Sequence, residues 1–217
     1  MKRNFYSSYR RILAIALGWA LACSVALAKE APVILVVGDS ISAGYGLPSG
    51  AGWVALLQKK LRAEQFPQRV VNASISGDTT AGGRERLAAL LAQNRPAITI
   101  VELGGNDGLR GGNLEAMHDN LDAMVAAAQK EGSKVLLVGI RLPPNYGPAY
   151  VQRFAATFGD VARARKVALV PFLFEGFGEN NAMFQPDGIH PTAAAQEKLL
   201  DNVWRGLEPL LGPAAKS

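Results

Sequence analysis

The sequence predicts a three-layer α/β/α sandwich built on a five-stranded parallel sheet. Three observations predict it. The first is the run Val33-Ile34-Leu35-Val36-Val37, apolar at every position, as expected of a strand covered by helices on both faces. The second is the alternation of such runs with segments of helical period from position 33 to the C-terminal region, without repeats, low-complexity tracts or an interdomain linker. The third is that glycine-rich polar clusters follow the first three strands, so right-handed crossovers would gather them at one edge of the sheet.

Taken in order, the first strand stops at Gly38-Asp39-Ser40-Ile41-Ser42, which delivers a serine to the mouth of the fold. Trp53, Leu56, Leu57 and Leu61 recur at helical spacing and predict a helix over about 51–65. A short strand over 69–73 ends in Ser74-Ile75-Ser76-Gly77-Asp78, and Thr79 or Thr80 can cap a helix that carries Leu87, Leu90 and Leu91 and stops before Pro96. The third strand, 97–103, ends in Gly104-Gly105-Asn106-Asp107-Gly108. Leu114, Met117, Leu121, Met124, Val125 and Ala128 stripe the next helix, closed by Gly132. A strand over 135–140 gives way to a loop through Leu142, Pro143, Pro144, Asn145, Tyr146, Gly147 and Pro148. A helix over 150–164 and a strand over 167–170 follow. Thr192 can cap a terminal helix bearing Leu199, Leu200, Val203, Trp204 and Leu207.

The 217 residues suit one domain with a sizeable core. The formal net charge of +5 rests on the N-terminus, since setting Lys2, Arg3, Arg10 and Arg11 aside leaves 19 of the 23 basic residues against 18 acidic ones. Nucleic-acid binding has no electrostatic support. Those cations precede an apolar run from Ile12 to about Leu27 and a small-residue site, Ala26-Leu27-Ala28, which is the pattern of a secretory signal. The expected organisation is a signal peptide over 1–28 and one catalytic domain over 29–217, periplasmic or secreted. Two other fates of the segment are a retained anchor, as the 17 residues from Ile12 to Ala28 approach the length of a span, and lipidation at Cys23 after Ala20-Leu21-Ala22. Cleavage at Ala28 would leave no cysteine, hence no disulfide and no thiol nucleophile.

A serine hydroxyl needs a neighbouring base before it attacks a carbonyl, and the chain has two histidines. His118 lies on the striped helix at the margin of its buried face and reads as a structural residue. His190 lies in Asp187-Gly188-Ile189-His190-Pro191, where a carboxylate three positions earlier can bond one ring nitrogen and leave the other for the serine proton. The plainer alternatives are a capping histidine and an Asx turn that only shapes the loop.

Gly38-Asp39-Ser40-Ile41-Ser42, Gly77, Gly105-Asn106-Asp107 and Asp187-Gly188-Ile189-His190-Pro191 together resemble the four blocks of the SGNH (GDSL-type) hydrolases, in that family's order, across nearly all of the chain beyond position 29. Isoleucine at 41 stands where the family's name motif has leucine, a swap that preserves volume. The resemblance is to an exported bacterial branch of acyl-CoA thioesterases, lysophospholipases and arylesterases, and it implies a flavodoxin-like sheet order. It implies Ser40 as nucleophile, His190 as base and then acid, Asp187 as the orienting carboxylate, and an oxyanion hole of the Ser40 and Gly77 N–H groups with the Asn106 side-chain amide. Asp39 and Asp107 are expected to brace loops.

The expected reaction is hydrolysis of acyl thioesters, lysophospholipids and aryl or alkyl esters through an acyl-enzyme, with broad specificity. Leu109, Pro143, Pro144 and Tyr146 are candidate contacts for the acyl chain. Phe172, Phe174, Phe177 and Phe184 read as core, with a wall of the acyl groove as the alternative. No cofactor or metal is implied. The expected partners are a small acyl substrate and a transient lipid contact, with a monomeric state. The rival readings are a carbohydrate O-deacetylase on the same fold, a metal-dependent phosphoesterase with Asp39, Asn106, Asp187 and His190 as ligands, and an envelope-binding module without chemistry. The lack of any Gly-x-Ser-x-Gly argues against the nucleophile elbow of ordinary α/β-hydrolases.

Overall fold

Five parallel strands order themselves β2-β1-β3-β4-β5 in a computed structural model that describes residues 30–214. They are β1 (Val33–Gly38), β2 (Arg69–Asn72), β3 (Ile98–Glu102), β4 (Lys134–Val138) and β5 (Ala168–Val170). The signal segment expected over 1–28 lies outside the described residues, and one compact unit begins at Ala31. Among the described residues no helix is long and apolar enough to cross a membrane.

The central strands bury every residue of β1 and β3, while β2 at the edge half-buries only Val70 and Val71 and leaves Arg69 and Asn72 exposed. This is the burial expected when helices cover both faces of a parallel sheet. One face carries α2 (Trp53–Ala63) packed on α7 (Gln196–Leu211). On the other, α5 (Leu114–Lys130) packs between α3 (Thr80–Asn94) and α6 (Pro148–Arg165). Most of each stripe anticipated from spacing is buried, Trp53, Leu57 and Leu61 on α2 and Met117, Leu121, Met124, Val125 and Ala128 on α5, while Leu56 and Leu114 are half-buried against the core.

Caps explain several starts. Thr79 Oγ1 accepts the N–H of Gly82 at 3.3 Å to open α3, and Asn113 Oδ1 accepts the N–H groups of Glu115 and Ala116 to open α5. The first turn of α2 has no local side-chain cap. Its Trp53 N–H is taken instead by the buried Gln196 Oε1, 2.9 Å away and 143 positions later.

The structure corrects the expected role of Thr192. It precedes a single 3₁₀ turn, Ala193–Ala195, and makes no side-chain cap there. Its hydroxyl donates to the Met183 carbonyl, and α7 begins only at Gln196. Two short helices absent from the expected series, α1 (Ser40–Ala43) and α4 (Gly105–Leu109), start immediately beyond β1 and β3. The order 2-1-3 makes the gap between β1 and β3 the point where successive connections leave in opposite directions, and such a switch point opens a crevice beyond the strand ends.

Candidate active site

Ser40 is the first residue of α1, and its position follows from Asp39. The Asp39 side chain caps α1 by accepting the Ile41 N–H at 3.0 Å, which turns the chain sharply out of β1. The N–H of Ser40, in the first turn of a helix, has no acceptor among the described residues.

His190 and Asp187 sit on a turn closed at its base by an antiparallel bridge between Phe184 and Pro191. Asp187 Oδ1 accepts the N–H groups of Ile189 (2.9 Å) and His190 (3.0 Å), while its Oδ2 lies 2.7 Å from His190 Nδ1. The two readings of Asp187 therefore coexist: one carboxylate shapes the loop and holds the ring. Those bonds hold its pKa down at about 2, led by the His190 N–H, then the imidazole, then the Ile189 N–H. With the Nδ1 proton directed at this carboxylate, Nε2 is free to accept, and it lies 2.8 Å from Ser40 Oγ. Serine, imidazole and carboxylate form one hydrogen-bonded row, able to move the Ser40 proton onto His190.

Asn106, on α4, reaches the same spot. Its Nδ2 donates to Asp39 Oδ2 at 3.2 Å and to the Asp78 carbonyl at 2.9 Å. Both amide hydrogens thus have protein acceptors, so aiming one at a substrate oxygen requires sharing it. Gly77 lies in the turn after β2; its carbonyl accepts from the Arg110 guanidinium at 3.2 Å, and its N–H has no acceptor among the described residues. A Cβ at Gly77 would meet no protein atom within 4 Å, whereas φ is +80°. That positive φ favours glycine at the position.

A cleft of about 620 Å³ opens at Ser40, Asn106 and His190. Leu109, Pro143 and Pro144 line it, and so do Phe172, Phe174 and Phe184. Phe177 stays in the core beneath, stacked against Phe174 and Phe184. Tyr146 departs from expectation. It is not among the lining residues; its hydroxyl donates to the Leu109 carbonyl at 3.0 Å, so it steadies one wall from behind. Ile140, Leu142 and Ile189 complete apolar stretches of the wall, and Arg141 at the rim lies over the Phe172 ring.

Two carboxylates stand behind the serine. Asp39 is buried, and burial raises its pKa to about 6 despite the opposing Ile41 N–H, His190 and Asn106. Glu102, at the end of β3, is fully buried; burial and the neighbouring Asp39 push its pKa well above the ordinary carboxylate range, and Ser42 donates to its Oε2 at 2.6 Å. Gly38 leaves the room for this contact, since a Cβ there would lie 2.7 Å from Ser42 Oγ and 2.8 Å from Glu102 Oε2. Glu102 was not singled out from the sequence, although a carboxylate inside the apolar strand Ile98-Thr99-Ile100-Val101-Glu102 is itself a signal. Asp107 accepts from Thr80 through both oxygens and ties α4 to α3. His118 lies away from the row, half-exposed on α5 beside Asp119. Among the described residues, no group of three or more His, Cys, Asp or Glu side chains is arranged to hold a metal ion.

A serine at the switch point of a parallel sheet, with an imidazole and carboxylate delivered on a late loop, defines an acylhydrolase of the SGNH type. The chain belongs to the GDSL-like Lipase/Acylhydrolase family, whose sequence pattern matches residues 36–198. It is 59% identical over 181 residues to Esterase TesA of Pseudomonas aeruginosa, covering 83% of this chain and 90% of the relative. It is 41% identical over 184 residues to Thioesterase 1/protease 1/lysophospholipase L1 of Escherichia coli K12, covering 85% and 87%. Among solved structures it resembles the psychrotrophic esterase EstA from Pseudoalteromonas sp., inhibited by monoethylphosphonate, with a TM-score of 0.79 at 39% identity over 83% of this chain and 99% of that one.

Proposed function

We propose that Ser40, His190 and Asp187 hydrolyse acyl thioesters, lysophospholipids and aryl or alkyl esters through a covalent acyl-enzyme. The observation that carries this reading is the row of contacts, 2.8 Å from Ser40 Oγ to His190 Nε2 and 2.7 Å from His190 Nδ1 to Asp187, at the head of an apolar cleft.

Ser40 Oγ attacks the carbonyl as His190 takes its proton, and Asp187 stabilises the imidazolium. The developing oxyanion is met by the N–H groups of Ser40 and Gly77 and by the Asn106 amide. The carbon–heteroatom bond breaks and the leaving group takes the proton from His190. Water then repeats the sequence on the acyl-enzyme, restoring the serine. The acyl chain lies along Leu109, Pro143, Pro144 and the Phe172–Phe184 wall, and an apolar groove of this kind separates neighbouring chain lengths only weakly, by about 1–3 kcal/mol per methylene. The chain acts as a monomer after export to the periplasm or medium, with residues 1–28 removed and the domain beginning near Lys29.

The test is a series of p-nitrophenyl esters with the purified protein, alongside fluorophosphonate labelling. The expected result is labelling lost in Ser40→Ala, turnover indifferent to EDTA, and octanoate favoured over acetate. Strong preference for acetate would point to a deacetylase, and loss of activity in EDTA to metal-dependent phosphoester chemistry.

A further inference from the structure

The site contains an aromatic residue that the triad, the oxyanion donors and the acyl cleft do not use. Tyr45 follows α1, and its N–H donates to the Ser40 carbonyl at 3.0 Å. Its ring centroid lies 4.5 Å from that of His190, with the planes inclined by 41°. Gln185 holds this pairing in register. Its side-chain amide donates to the Tyr45 carbonyl at 2.8 Å, and its own N–H donates to the His190 carbonyl at 2.7 Å. The segments bearing Ser40 and His190, far apart in sequence, are thereby stapled beside the ring.

Despite these contacts Tyr45 is 53% exposed, and among the described residues only Ile75 and Ile189 share with it the status of exposed large hydrophobic side chains. Ile189 lines the cleft next to His190, and the backbone of Ile75 is bonded to the end of β1, its N–H donating to the Gly38 carbonyl at 3.0 Å. Tyr45 itself is not among the residues lining the cleft. An ordered but unburied aromatic ring beside reacting groups offers a face to a ligand.

The chemistry says which part of the substrate meets it. In the acylation step the Ser40 Oγ–carbon bond forms and the bond from carbon to the leaving heteroatom breaks. The electron pair goes to that heteroatom, which takes from His190 Nε2 the proton that Ser40 lost. The leaving group is therefore expelled at the imidazole against which Tyr45 is packed, while the acyl chain remains on Ser40 in the cleft. Resting on the serine-hydrolase reading above, we propose that the exposed face of Tyr45 is a leaving-group subsite that favours aromatic over aliphatic alcohol portions of an ester.

Benzyl octanoate and cyclohexylmethyl octanoate test this, because they share an acyl chain and differ in the aromaticity of the leaving group. Their kcat/KM values report the acylation step. In Tyr45→Leu the benzyl-to-cyclohexylmethyl ratio of kcat/KM is expected to fall about 2- to 12-fold, with the ratio retained in Tyr45→Phe. An equal loss for both esters would mean that the ring only supports His190, and an unchanged ratio, or one lost equally in the Phe variant, would also overturn the proposal. Ser40→Ala separates the two readings, since turnover of either ester by that variant would sink the serine mechanism whatever the Tyr45 ratios are.

Discussion

Asn106 Nδ2 donates to Asp39 Oδ2 at 3.2 Å, so the amide beside Ser40 is anchored by the same carboxylate that caps the helix starting there. The Asp39 side chain couples the direction of α1 to the orientation of Asn106. Removing the amide, in Asn106→Ala, is expected to lower kcat about 100- to 1000-fold with little change in KM. In Asp39→Asn an amide faces an amide, and the expected outcome is a smaller fall in kcat, again with KM nearly constant. Steady-state kinetics on p-nitrophenyl octanoate distinguish these from a loss of substrate binding.

Asp187 makes folding sensitive to acid. Its pKa is about 2 in the folded protein against an ordinary value of 3.8, so the unfolded chain takes up the proton first as pH falls. The contribution is complete above about pH 4 and is lost between about 4 and 2. Thermal unfolding of the protein and of Asp187→Asn should therefore converge in stability as pH drops through that window. The same variant should lose on the order of 10,000-fold in kcat at neutral pH, as when the corresponding carboxylate of a serine protease is replaced.

Asp39 acts with the opposite sign. Its folded pKa of about 6 lies above 3.8, so the unfolded chain ionises first as pH rises and stability falls between about pH 4 and 6, then levels. The cost of ionising it in place is on the order of 3 kcal/mol. Glu102 bends the curve in the same direction, because burial and the neighbouring Asp39 raise its pKa too. Urea denaturation across pH 4–7 should give a flatter profile for Asp39→Asn than for the unsubstituted protein.

Glu102 is expected to be a neutral acid beneath the serine loop, because burial and the nearby Asp39 both oppose its charge. Glu102→Gln keeps the volume and an oxygen for the Ser42 hydroxyl, so its Tm should stay within a few degrees. Glu102→Ala empties the space and strands Ser42, and should destabilise by about 2–4 kcal/mol. Calorimetry of the two variants checks the charge state, since an obligatory carboxylate would make the glutamine variant as unstable as the alanine one.

Much of this was legible before any coordinates. Strand and helix positions follow from burial periodicity, and burial is what a sandwich imposes on every residue of a central strand or one face of a helix. Asp187 and His190 are three positions apart, so their contact is a local matter of turn geometry. Misreadings arose where a distant partner decides the outcome. Thr192 donates its hydroxyl to the Met183 carbonyl instead of capping the last helix, and Tyr146 turns to the Leu109 carbonyl instead of the cleft.

The sequence by itself determined the order of elements, the edge where the polar clusters meet and the small set of side chains able to do acyl chemistry, because these depend on local propensity and on residue type. Tertiary structure alone decided that Ser40 and His190, 150 positions apart, meet at 2.8 Å, that both hydrogens of Asn106 are engaged, and that Asp39 and Glu102 lie buried side by side. The physical reason is that distance and desolvation belong to the packed chain: they come from how whole layers settle against one another, which no single stretch of residues encodes.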